Sequence, residues 1–165
     1  MERTIQVLNA LEHDGLYTRY AIGGAMGALF FMEPLLTFDL DVFVQFPLTA
    51  GGLITLVPIY DALKKRGYSE KEEHVDIEGT YVQFLPVHNP LTEEALKEAL
   101  DTQFGETPTR VFHPEHLMAI MLQTGREKDL QRFAVFNQQV KVDAAYLNDV
   151  LTRHVLLERW AQWNR

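Results

Sequence analysis

The sequence predicts an α/β (α+β) fold, with short strands and helices alternating through residues 1–90 and helices dominating residues 91–165. Three observations carry this. Leu40, Val42 and Val44 alternate with Asp39, Asp41, Phe43 and Gln45, the period of a strand with two different faces. The pair Gly23-Gly24 separates a short strand from a segment of small and apolar residues. Beyond residue 90 come several segments with helical start and stop signals. A chain of 165 residues that is 47% hydrophobic and 11% aromatic suits one domain with a real core. The division read here is an α/β core over 1–90 with a helical region over 91–165 packed on it, the boundary lying softly between 87 and 110.

In chain order, Ile5, Leu8 and Leu11 form one helical stripe from Thr4 to His13, stopped at Gly15. Tyr20-Ala21-Ile22 is a strand, and Ala25 to Met32 reads as a buried helix ended by Pro34. The strand from Asp39 to Phe46 leads to a loop around Ala50-Gly51-Gly52. A helix from Pro58 to Arg66 is closed by Gly67. His74 to Ile77 and Thr80 to Leu85 are two strands joined by a tight turn at Glu78-Gly79. Helices then follow from Leu91 to Leu100, from Pro114 to the stop at Gly125, from Lys128 to Gln138, and from a cap at Asp143.

Composition removes several functions. No run approaches the ~20 apolar residues of a membrane helix, and no secretory signal is visible after Met1-Glu2-Arg3-Thr4. The absence of cysteine excludes disulfides, thiolate metal sites and cysteine nucleophiles, and fits a cytoplasmic address. A net charge of −8 argues against general affinity for nucleic-acid backbones. It leaves room for a small or metal-neutralised anion, or serves solubility alone.

Asp39 and Asp41 are the residues that point to chemistry. Two carboxylates one residue apart on a strand share a face, and both reach a single Mg²⁺, which prefers hard oxygen ligands. A cation also removes the cost of ionising two adjacent acids. The same spacing fits an ordinary solvated strand face. Gly23-Gly24, between a strand and a helix, is suited to receive phosphate on backbone N–H groups, or to permit only a tight turn and close packing.

Tyr20-Ala-Ile-Gly-Gly-Ala followed by Thr37-Phe-Asp39-Leu-Asp41-Val-Phe-Val resembles the signature of the nucleotidyltransferase-fold superfamily. The branch it looks most like is the small bacterial group related to abortive-infection (type IV) toxins. Leu122-Gln-Thr-Gly125-Arg126-Glu-Lys128-Asp129 is similar to the helical part of that branch, so the resemblance spans most of the chain. It implies a mixed sheet flanked by helices. It further implies Gly23, Gly24 and Thr37 beside a triphosphate, Asp39 and Asp41 holding Mg²⁺, and transfer of a nucleoside monophosphate from a nucleoside triphosphate to a hydroxyl. The acceptor is a protein, a tRNA end or a small molecule. A toxin would be restrained by a separate antitoxin.

Two positions depart from that pattern. Leu35 stands where the branch has Arg. Gln83 stands where a third carboxylate is expected, and an amide does not deprotonate a hydroxyl. A catalytically degenerate domain that binds nucleotide or a protein is therefore the competing reading. With Glu78-Gly79 as a two-residue turn, Ile77 faces Thr80, Asp76 faces Tyr81 and His74 faces Gln83, which offers His74 or Asp76 as a substitute base or ligand. They also fit exposed hairpin polars.

In the helical region, Arg126 or Lys128 could reach a phosphate, with Asp129 orienting one of them, or the segment is a helix–helix turn with a local ion pair. His113 and His116, flanking Pro114-Glu115, fit helix capping with surface exposure. Arg153-His154 carries no clear signal. Trp160 and Trp163 suit docking onto the core or a partner, including a second copy of the chain.

Overall fold

The computed structural model describes residues 1–32, 39–47 and 55–164. Thr37, Leu35, Pro34 and the Ala50-Gly51-Gly52 loop lie outside the described residues. The elements in order are α1 (Glu2–His13), β1 (Arg19–Ile22), α2 (Gly24–Ala28), β2 (Asp39–Gln45), α3 (Val57–Lys65), β3 (Glu70–Lys71), β4 (His74–Ile77) and β5 (Thr80–Pro86). They continue with α4 (Pro90–Lys97), β6 (Leu100–Phe104), β7 (Thr107–Val111), α5 (Pro114–Thr124), α6 (Glu127–Gln139), α7 (Ala144–Arg153) and α8 (Leu157–Trp163). Seven strands form one mixed sheet in the order β3-β4-β5-β2-β1-β7-β6.

The alternation along β2 sorts its residues between two cores. Leu40, Val42 and Val44 are buried with Ile5, Leu8 and Leu11 of α1 and Ile59 and Leu63 of α3. Phe43 points the other way, into the core built by α4, α5, α6 and α7. Asp39 and Asp41 share the Phe43 face because side chains two apart on a strand do so. Burying each of the large apolar side chains contributes about 1.5–3 kcal/mol, which fixes the register and hence the direction of the carboxylates.

The β4–β5 hairpin turns on Glu78 and Gly79, both left-handed at φ 54° and 79°, as a two-residue turn that follows strand twist requires. Its register pairs Ile77 with Thr80 and Asp76 with Tyr81, as the sequence predicts. Helix α5 runs from Pro114 to a left-handed Gly125, and Asp143 caps α7 by accepting from the N–H groups of Ala145 and Tyr146.

Two expectations need correction. The chain is not wholly helical from Leu91: α4 ends at Lys97, and β6 and β7 complete the sheet, with Ile22 of β1 paired in parallel to Val111. An edge strand has only one neighbour, and the five residues of β6 alternate Leu100, Thr102 and Phe104 with Asp101 and Gln103, a pattern too short to stand out beside the helical one before it. The segment Ala25 to Met32 is helical only to Ala28 and continues as turns. Ala25, Gly27 and Ala28 are buried, and a Cβ on Gly27 would meet the Ile22 carbonyl oxygen at 3.1 Å, so small residues there serve close packing on β1. Among the described residues no helix is long and apolar enough to cross a membrane.

Candidate functional site

The site is built on the middle of the sheet. β2 lies between β1 and β5, and the parallel β2–β5 register sets Asp39 beside Tyr81 and Asp41 beside Gln83. On the other flank, the Gly23 N–H donates to the Asp41 carbonyl oxygen at 3.0 Å, pinning the turn after β1 to the same residue. That turn has no room for side chains. A Cβ on Gly24 would fall 1.8 Å from Asp41 Oδ2, and Gly24 has φ 57°; a Cβ on Gly23 would fall 2.5 Å from the Phe43 ring. The glycines are thus needed so that backbone lies directly against the Asp41 carboxylate.

Above this floor is a cavity of about 600 Å³. Gly24, Asp41 and Gln83 line one side, and Arg126, Asp129 and Arg132 of the α6 region line another, with Leu117, Ile120 and Met121 of α5 supplying an apolar wall. Arg126 is held in place by a bidentate pair with Asp129, Nε to Oδ2 at 2.7 Å and Nη2 to Oδ1 at 3.1 Å. Asp129 itself is buried. Burial pushes the Asp41 carboxyl above its ordinary range; Arg132 and then Arg126 pull it back, Asp39 adds to the rise, and Lys128 opposes it weakly. The carboxylate therefore sits where more positive charge would be welcome.

On the β4 side, His74 Nε2 is 3.8 Å from Asp39 Oδ2. Asp76 spends one oxygen on the Gly79 N–H at 2.9 Å. Gln83 lines the cavity and its Nε2 donates to Glu73 Oε2 at 3.3 Å. Among the described residues no group of three or more His, Asp or Glu is arranged to hold a metal ion. A pair of carboxylates nevertheless fits Mg²⁺, which keeps several waters and is commonly bound through one or two carboxylates together with substrate phosphates.

Neither a protein-family model nor a curated protein sequence matches the chain. Solved structures do match. An antigenic nucleotidyltransferase-like protein from Paracoccidioides brasiliensis is similar with a TM-score of 0.53 at 12% identity, over 93% of this chain and 87% of that one. ANT(2'')-Ia in complex with adenylyl-2''-tobramycin gives 0.52 at 13% identity, over 94% of this chain and 98% of that one. The solution structure of ANT(2'')-Ia, described as an antibiotic-resistance factor, gives 0.50 at 14% identity over 99% and 97%. The chain has a nucleotidyltransferase-like fold.

Within this nucleotidyltransferase-like fold, the structure gathers Asp41, Gly24, Gln83 and Arg126 around one cavity, with Asp39 on the same strand face and Gly23 packed beneath the turn. Lys128 is exposed and does not line the cavity. Arg132 does, and sequence reasoning missed it; its spacing of four from Lys128 on one helix was the available signal. Glu73 was missed too, because nothing in the sequence marks which hairpin acid reaches Gln83.

The histidines of α5 need a further correction. His116 is fully buried rather than exposed, because α5 is packed on nearly every side. Its Nε2 is 2.9 Å from Glu94 Oε1, and Glu94 also receives Arg153 and His154 Nε2. His113 is half-buried, and its side chain caps nothing. Trp160 and Trp163 stack edge-on against Phe133, each at 5.4 Å, which places them on the protein's own core.

Proposed function

We propose that the protein is a Mg²⁺-dependent nucleotidyltransferase that moves a nucleoside monophosphate from a nucleoside triphosphate to an acceptor hydroxyl. The observation that carries this is the placement of Asp41: between glycine backbone on one strand and Gln83 on the other, facing Arg126 and Arg132 across the cavity. Asp39 and Asp41 would hold the metal, which when bound neutralises charge on the phosphoryl oxygens. Gly23 and Gly24 let the chain approach a triphosphate closely. Arg126, fixed by Asp129, offers a preorganised guanidinium fork to phosphate oxygens, and Arg132 a second.

The cavity is of the size that takes a nucleotide or a drug-sized ligand. Its apolar wall suits a base or the body of a small acceptor. The adenylylated tobramycin held by ANT(2'')-Ia supports a small hydroxylated acceptor over a macromolecule, and the charge of −8 disfavours tRNA. A finer placement among abortive-infection toxins, with an antitoxin partner and a bacterial cytoplasmic setting, rests on the resemblance of the Leu122–Asp129 segment alone, since the Arg126–Asp129 pair there fits an ordinary helix–helix turn equally well.

Gln83 favours a second reading. With an amide beside Asp41, a domain that binds nucleotide without turning it over has a stated structural basis. Thermal unfolding with each nucleoside triphosphate, with and without Mg²⁺, tests what both readings share. A ligand at ~100 times its dissociation constant stabilises by about 2.7 kcal/mol. The expected result is a metal-dependent shift that Asp39→Asn/Asp41→Asn abolishes. No shift with any nucleotide would remove the nucleotide site from both readings.

A further inference from the structure

We infer that Glu73, at the β3–β4 turn, is the general base that takes the proton of the acceptor hydroxyl, and that Gln83 positions its carboxylate. This rests on the nucleotidyl-transfer reading above and supplies the group that reading lacks.

The strand register leaves Gln83 beside Asp41, and a neutral amide has no proton-accepting role there. It has a donating one. Gln83 Nε2 is 3.3 Å from Glu73 Oε2, so a carboxylate is tied by one hydrogen bond to the residue that lines the cavity next to Asp41. Two other acids among the described residues, Asp76 and Asp129, are committed elsewhere. Asp76 accepts from the Gly79 N–H, and Asp129 is buried against Arg126. His74 has its Nε2 near Asp39, on the metal-binding side of the face.

The turn that presents Glu73 is tight. Lys71 pairs with His74, so Glu72 and Glu73 alone make the reversal, and Glu72 is left-handed at φ 59°, as Glu78 is in the next turn.

Placement agrees with the chemistry. Gly24 follows β1 and Gln83 lies on β5, so the two flank Asp41 from its two neighbouring strands. Phosphoryl transfer needs the attacking and leaving oxygens roughly in line. With the triphosphate against Gly23-Gly24, the acceptor enters from the β5 side, where Glu73 stands. In the step, the hydroxyl proton passes to a Glu73 carboxylate oxygen. The hydroxyl oxygen then forms a bond to the α-phosphorus, and the bond from that phosphorus to the β-bridging oxygen breaks, its electron pair leaving with pyrophosphate. Glu73 is exposed and returns the proton to solvent.

The test uses water as the acceptor and measures pyrophosphate release from each Mg²⁺–nucleoside triphosphate at neutral pH. Glu73→Gln should lower release about 100-fold and keep the nucleotide-induced thermal shift. Gln83→Asp placed in the Glu73→Gln protein should restore release, because it puts a carboxylate back beside Asp41. Glu73→Gln with the wild-type rate would overturn the inference. So would a wild-type protein that binds nucleotide and releases no pyrophosphate. A wild-type protein with no nucleotide-induced shift would instead sink the underlying reading, and the base assignment with it.

Discussion

Two polar clusters lie on the helical side of the sheet, and they handle charge in opposite ways. In one, Glu94 of α4 receives Arg153, His154 and the buried His116, so a single carboxylate ties α4 to α5 and α7. Its partners hold its carboxyl down at about 2, Arg153 contributing most. In the other, Asp41 has cations across a cavity instead of in contact, and burial raises its carboxyl above the ordinary range. A cluster that satisfies itself holds a fold together. A desolvated carboxylate that faces guanidinium groups across a cavity is the arrangement that clusters at functional sites.

The largest effect expected from this contrast is on stability. Glu94→Ala removes the Nε2 partner of the buried His116, whose Nδ1 has no partner among the described residues, and that of His154, while Arg153 keeps Asp149. Urea unfolding should show a loss of roughly 2 kcal/mol, the scale of leaving a buried polar group such as His116 without its hydrogen-bond partner. A loss below ~0.5 kcal/mol, the size of an ordinary surface substitution, would dissolve the distinction between the two clusters.

Next comes Gly24→Ala. A side chain in the left-handed region costs about 1–2 kcal/mol, and its Cβ would collide with Asp41 Oδ2. The variant should fold, unfold at a lower temperature, and lose the Mg²⁺–nucleotide shift. Retention of the shift would show that the close approach at Gly24 has no part in binding.

Arg132→Ala sharpens the contrast further. With no partner among the described carboxylates, its removal should leave unfolding within ~0.5 kcal/mol of wild type. Triphosphate affinity, followed by calorimetry, should fall about tenfold, the scale of one charge-assisted contact. Unchanged affinity would remove Arg132 from the site.

The smallest effects are in pH dependence, and they differ in sign. Glu94, depressed from 4.5 to about 2, contributes stability that is present above pH 4.5 and disappears as pH falls toward 2. Asp41, raised from 3.8, costs stability that is fully present above its folded value and vanishes by 3.8. Asp41→Asn should therefore stabilise the ligand-free protein at neutral pH and give no gain near pH 3.8. Comparing melting temperatures of Asp41→Asn and Glu94→Gln across this range checks both signs; a destabilised Asp41→Asn at neutral pH would contradict them.

The Asp39–Asp41 face was the more legible of the two regions. The Leu40-Val42-Val44 alternation fixes which way Asp39 and Asp41 point, and the Glu78-Gly79 turn fixes the pairing that brings β4 alongside Gln83. Both are period and turn signals carried by local sequence. Arg132, Glu73 and the Glu94 cluster depend on how α4, α5, α6 and the β3–β4 turn pack, which residue spacing does not encode. His116 illustrates this: beside Pro114 and Glu115 it has the look of a helix start in water, and only the burial of α5 on nearly all sides makes it a core residue. β6 was hidden for a different reason, since the alternation of Leu100, Thr102 and Phe104 with Asp101 and Gln103 spans only five residues and follows directly on a helical pattern.

The central claim, that Asp39 and Asp41 hold a metal–nucleotide complex, is tested most directly with Mn²⁺ in place of Mg²⁺. Paramagnetic broadening of backbone amide resonances on adding Mn²⁺ and a nucleoside triphosphate would locate the ion. Broadening centred on Gly24, Asp41 and Gln83, and absent from Asp39→Asn/Asp41→Asn, is the expected result. Broadening centred on the Glu70–Glu78 hairpin or on Glu94, or broadening that the double variant retains, would contradict it.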